Sequence, residues 1–181
     1  KNAARSGLNF VNGCGNLWRK NKVPEFYNKD SVQAKQNPLI MEFVDLVTDT
    51  VGDGILSFSD TQSRPFMKFW SRLTISKYLK DKNEFKCVFF GTMLVNTFGR
   101  DLTKTTISDR GWGESESSLR QFHEDAFTKR KPIFLSSSLH FVNKNYQLMH
   151  QVKMPIKFGP DVDGTVGIII FEPTSKPDSE I

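Results

Sequence analysis

Three histidines, His123, His140 and His150, are the side chains best suited to proton transfer, and their surroundings decide what chemistry is open to them. No HExxH or similar metal-binding run is present, no glycine-rich phosphate loop occurs, and no serine sits in a nucleophile-elbow context. No catalytic triad and no metal site is therefore legible, and binding rather than catalysis is expected. His150 is the one polar member of a period-two stripe with Leu148, Val152, Met154, Ile156 and Phe158. A histidine there can hydrogen-bond a carboxylate or carbonyl of a ligand and change charge with pH. It can equally be a core-edge residue satisfied by a backbone carbonyl or a hydroxyl.

Other candidates read as structural. Ser136, Ser138 and His140 share one strand face, the pattern of a wet face or an interface. Arg100 and Asp101 stand where a salt bridge or a helix cap is expected. Glu172 follows the last strand and reads as a solvent residue. Cys87 lies in a β-rich run and reads as a buried thiol, whereas Cys14 sits in the flexible Asn12-Gly13-Cys14-Gly15. Two cysteines with neither metal spacing nor a disulfide framework point to a reducing compartment, so a cytoplasmic protein is expected.

The elements that must position these residues follow from periodicity. Asn37 and Pro38 open a helix whose Leu39, Ile40, Phe43, Val44, Val47 and Val51 recur at helical spacing, and Gly52 ends it. That apolar surface is broader than one buried stripe, which predicts a second contact, in the form of a homodimer or a protein partner. Ser63 and Pro65 open a shorter helix. Strands are expected over 74–79 and 84–91, then short helices and loops to residue 109. A helix over 115–131 carries Leu119, Phe122, Ala126 and Phe127, with Ser118 and Gln121 as a capping box and Pro132 as its stop. Three strands close the domain, over 133–142, 147–158 and 165–172, joined by turns too short for a crossover and hence antiparallel. The result is an α+β domain of helices on an antiparallel sheet over 37–172. A basic extension over 1–36 precedes it, and a polar tail over 173–181 follows.

Composition fits this plan. The chain has 181 residues, 38% hydrophobic and 25% charged, and its 16 phenylalanines predict an aromatic core able to line a cavity. Residues 1–40 hold seven basic and two acidic side chains, so the whole net charge of +5 resides there. No basic helix face or recognised motif accompanies it, so it gives no clear nucleic-acid or membrane signal.

The run Phe85 to Phe90, ending at Gly91-Thr92, and the segment Phe98-Gly99-Arg100-Asp101-Leu102-Thr103 resemble the PAS domain family, in particular a PAS-like group found in bacterial proteins. The resemblance covers roughly residues 38–172. It departs from the family pattern at Lys104, where glycine is the tendency. It implies a PAS-like five-stranded antiparallel sheet in the order 2-1-5-4-3, preceded by an N-terminal helix, with a pocket between the inner face of the sheet and its helices. It further implies a sensory or regulatory role in signal transduction, through binding of a small molecule or a protein partner. The expected ligand-lining residues are His150, Phe89, Met154 and Trp112. Neither cysteine stands where a flavin-adduct cysteine belongs, and the lone His123 gives little support for haem, so no particular cofactor is implied. A ligand-free dimerisation module, or a small-molecule enzyme on a cone-shaped α+β fold, are the alternatives.

Overall fold

Strand β6 carries two kinds of face. His150, Val152, Met154 and Ile156 alternate with Met149, Gln151, Lys153 and Pro155, and all eight are buried. A strand with both faces inside must have a layer on each side. The computed structural model, which describes residues 25–27, 29, 31, 34, 36–139, 142 and 144–172, has that arrangement. Its elements are β1 (Glu25–Tyr27), α1 (Pro38–Val51), β2 (Leu56–Ser57), β3 (Leu73–Leu79), β4 (Glu84–Phe90), α2 (Thr92–Phe98), α3 (Ser115–Lys129), β5 (Ile133–Leu139), β6 (Lys144–Lys157) and β7 (Val162–Phe171).

The sheet runs β1-β5-β6-β7-β3-β4, antiparallel throughout, and β2 adds a short parallel pairing to β6. The five strands expected from the sequence are present, and their mutual order is the expected 2-1-5-4-3. The strand count is not five, however. β1 comes from the segment assigned to the N-terminal extension, where Tyr27 packs on Phe134 with ring centroids 5.3 Å apart. β2 is two residues long and carries no periodicity to read. Cys14 and the start of the basic segment, His140, and the tail over 173–181 lie outside the described residues.

One layer is α1 together with a 3-10 helix over Arg64–Arg72. Ile40, Phe43, Val44 and Val47 of α1 bury against Val152, Met154, Ile156 and Ile168 of the sheet. Phe43 meets Phe66 and Phe69 edge-on, at 6.3 Å and 5.2 Å. Each such ring, fully buried, contributes about 1.5–3 kcal/mol. Asn37 precedes Pro38 as expected, but its side chain makes no capping hydrogen bond. The short helix expected after Ser63 is 3-10 throughout, and Trp70 Nε1 donates to the Thr61 carbonyl at 2.9 Å.

The opposite layer is α2, α3 and the loop between them. Helix α3 starts at Ser115, so Ser118 lies within its first turn rather than at the cap. Gly99 ends α2 with φ +75°, its N–H donating to the Val95 carbonyl at 2.9 Å. The loop then lies along the free edge of β4. Lys104 N–H donates to the Cys87 carbonyl at 2.8 Å, and Cys87 N–H to the Thr105 carbonyl at 2.9 Å. This covers an edge that would otherwise expose unpaired backbone groups.

Lys104 holds φ +72° in that ladder. A side chain in the left-handed region costs about 1–2 kcal/mol. Glycine removes that strain but loses roughly 0.5–1 kcal/mol more chain entropy on folding. Lys104→Gly is therefore expected to stabilise the protein by about 0.5 kcal/mol, read as a rise of about 1–2 °C in Tm. A lower Tm for the variant would mean that the lysine makes a compensating contact.

Candidate functional site

A cavity lies between the inner face of the sheet, the α2–α3 loop and α3. Its volume is about 40 Å³, enough for about three waters. Its wall is mostly apolar, with Phe90, Phe98, Leu102, Trp112, Leu119 and Ile169 in the lining. Phe98 and Trp112 stack at 5.8 Å with an interplanar angle of 27°. Polar residues in the lining include Lys153 and Gln151 from β6, Ser137 from β5, Thr74 from β3, His123 from α3 and Arg110 from the loop, which packs on Trp112.

Lys153 is 2% exposed. Its Nζ donates to Thr74 Oγ1 at 3.2 Å. Burial pushes the ammonium down to about 7, and the positive Arg110 adds to it. Arg110 is 8% exposed, with Nε buried and without a hydrogen-bond partner. Its guanidinium lies over the Trp112 ring, 5.3 Å from the centroid. Among the described residues no carboxylate forms an ion pair with either cation. Two buried cations without a paired anion are costly, since desolvation of each charge is offset only by a hydroxyl or a ring face.

His123 adds no third charge. It is buried, shares a 2.7 Å hydrogen bond between its Nδ1 and Thr165 Oγ1, and lies 4.9 Å from the Phe85 ring. Burial, then Lys153, Arg110 and Arg120, hold it well below the ordinary histidine value, so it is neutral at physiological pH.

The loop that carries Arg110 and Trp112 is fastened from outside the cavity. Glu84 of β4 pairs with Arg120 of α3, and its carboxylate also accepts from Ser108 Oγ at 2.9 Å and from Ile107 N–H at 3.1 Å. Burial alone would raise the Glu84 carboxyl. The hydrogen bonds from Arg120 and Ser108 outweigh it and hold the group below the usual range. Arg100 donates to the Arg110 carbonyl, and Asp101 Oδ1 accepts from Thr103 N–H at 2.8 Å. The Arg100-Asp101 pair is structural, as expected, but works through backbone groups rather than as a salt bridge or a helix cap.

Of the residues expected to line a pocket, Trp112 lines this cavity. His150 and Met154 point the other way, into the layer beneath α1, and Phe89 packs against that layer too. His150 Nδ1 lies 2.5 Å from Ser136 Oγ, and His150 Nε2 lies 2.7 Å from Glu172 Oε1. In the tautomer with a proton on Nε2 alone, Nε2 donates to Glu172 and the Ser136 hydroxyl donates to Nδ1. The order of groups is that of an activated serine, but Ser136 is fully buried, so no substrate reaches its oxygen. Glu172 is thus a histidine partner rather than a simple solvent residue. Ser136 and Ser138 are buried too, and the expected wet stripe is an interior one.

Lys153, Arg110, Gln151 and Ser137 were not legible as site residues. Gln151 and Lys153 stood in the polar set of β6, the face that a one-sided sheet would turn to water. Cys87 is buried with its thiol pushed up by burial, as a structural cysteine is. Among the described residues no group of three or more His, Cys, Asp or Glu side chains converges to hold a metal ion, and no helix is long and apolar enough to cross a membrane. Comparison of the sequence with protein-family models, with curated proteins and with solved structures gives no match, so the geometry of the cavity is what bears on function.

Proposed function

We propose that this chain is a PAS-like sensory or regulatory domain that takes a small molecule into the cavity between its sheet and the α2–α3 loop. The observation that carries this reading is the cavity itself: a mostly apolar wall with two buried cations in its lining that are left without an acidic partner. A site built only for stability has no use for that arrangement, because apolar side chains of similar volume are as stable or more so. Ligand binding reaches the rest of the molecule through the loop. Arg110 and Trp112 line the cavity, and Glu84 ties the same loop to β4 and α3. A ligand that favours one position of this loop shifts its population, which is the thermodynamic basis of a signal.

The reading is tested by native mass spectrometry together with melting against a panel of neutral, anionic and aromatic small molecules. Wild type is expected to retain an adduct or to gain stability from one class of compound. Leu119→Trp, which fills the cavity, is expected to lose that response while remaining folded. The dimerisation module, favoured by the half-buried Met41 and Leu46 on the outer side of α1, predicts the reverse. No compound then shifts wild type, and Leu46→Glu dissociates a dimer seen by light scattering.

A further inference from the structure

We propose that the ligand of this cavity is a short-chain monocarboxylate, bound with its carboxylate between Lys153 and Arg110 and its hydrocarbon end against Trp112 and Phe98. The inference rests on the small-molecule reading given above and adds the chemistry of the ligand.

The polar lining has a deficit of one kind only. Lys153 has three donors and one hydroxyl acceptor, Thr74 Oγ1. Arg110 has a buried Nε with nothing to donate to. Every group facing Lys153 is neutral or positive: His123 from α3 is neutral, the Cys87 thiol from β4 is held protonated by burial, and Arg110 from the loop is a cation. What the site lacks is an acceptor with negative charge, and a carboxylate supplies two oxygens that suit a guanidinium and an ammonium together. A divalent anion fits less well, since most of the wall is apolar and offers it no solvation.

Size sets the second limit. A volume of about 40 Å³, the room of about three waters, limits the ligand to an acid of about two or three carbons. The stacked Phe98 and Trp112 rings give such a chain an apolar contact. Charge is then read by the two cations, and length by the aromatic wall.

The test uses propionate, its neutral isostere propionamide and inorganic phosphate, each at about 20 mM, with melting of wild type, Lys153→Met and the cavity-filled Leu119→Trp. Propionate is expected to raise the wild-type Tm by several degrees. Propionamide and phosphate should bind at least about tenfold more weakly, since each lacks one half of what the site reads. Both variants should lose the response. Calorimetry of wild type gives a readout independent of any variant. A carboxylate beside Lys153 favours its charged form, so at about pH 8 binding takes up a proton, and the heat varies with the ionisation enthalpy of the buffer.

If propionamide binds as well as propionate, if phosphate binds as well, or if Lys153→Met keeps the response, the carboxylate assignment is overturned and the cavity remains a small-molecule site. If propionate shifts wild type and Leu119→Trp equally, the ion acts at the surface and the assignment also falls. If no neutral or anionic compound of any kind binds, the small-molecule reading falls with it.

Discussion

Raising the pH from about 7 to about 9 is expected to stabilise this protein, against the usual trend for a folded chain, and Lys153→Met is expected to abolish the rise. The sign follows from proton counting. In the unfolded chain Lys153 keeps its proton up to the ordinary value of 10.5, whereas in the folded chain it has lost it above about 7. Between these values the unfolded state binds more protons, so stability increases with pH, by at most about 1.4 kcal/mol per unit. Cys87 limits the window. Its thiol is raised above the ordinary 9.0 by burial, so above that value the unfolded chain loses a proton that the folded chain keeps, and stability is drawn down. The net gain is thus confined to the range between about 7 and 9 and amounts to about 2 kcal/mol.

His123 acts on the acid side. Held well below 6.5, it stays neutral when the unfolded ring has charged, so stability falls as pH drops below 6.5. At about pH 7 the Lys153→Met variant is expected to be more stable than wild type by roughly 1–3 kcal/mol, because an uncompensated buried cation is replaced by a flexible apolar chain. Denaturant unfolding at half-unit pH steps, on both proteins, decides this. A flat wild-type curve, or the same slope in the variant, removes Lys153 as the cause. A gain in stability bought with loss of propionate binding is the signature expected of a functional group rather than a structural one.

The large elements were legible because their signals are local. Helix α1 has its 3.6-residue stripe, Pro38 at its start and Gly52 at its end, and it runs over Pro38–Val51. The strands joined by short turns pair antiparallel for want of chain to do anything else. The choice of face on β6 failed for a physical reason. Period two separates the strand into two sets, but it does not say that only one set is buried. With α1 on one side and α3 on the other, both are inside. The more apolar set, with Val152, Met154 and Ile156, fills the close-packed layer under α1. The mixed set, with Gln151 and Lys153, faces the cavity, because only a cavity has use for polar groups. His150 drew notice as a polar residue in an apolar stripe, and its partners Ser136 and Glu172 come from β5 and the end of β7, 14 and 22 residues away in sequence. Lys153 looked ordinary because lysine on a strand is nearly always at the surface. Strand β1 escaped notice because three residues pair only on a template that β5 provides.

Gly91→Ala is expected to be a severely damaging single-methyl change. Gly91 has φ −62° and ψ 151°, an extended conformation open to any residue, so backbone freedom is not why glycine stands there. Space is. A Cβ at this position would lie 2.4 Å from the carbonyl oxygens of both Trp70 and Ser71, at the end of the 3-10 helix. Those atoms are backbone and cannot rotate away. Gly91 N–H meanwhile donates to the Leu73 carbonyl at 2.9 Å, and the Gly91 carbonyl accepts from Val95 N–H at 3.0 Å in the first turn of α2. The residue is thus the point where β4, the 3-10 helix and α2 close on one another. Alanine forces them apart, and the shift passes along α2 to Leu94 and Phe98, which pack in the layer that borders the cavity. A loss of about 3 kcal/mol or more is expected, from overpacking against rigid backbone together with the broken helix start. That corresponds to a fall in Tm of about 6–12 °C for a chain of this size. Thr92→Ala, one residue on and exposed, is the control and should stay within about 0.5 kcal/mol of wild type. A Gly91→Ala protein that melts within a degree or two of wild type would show that the 3-10 helix can withdraw from β4 at little cost. The Gly-Thr pair would then need another explanation than this contact.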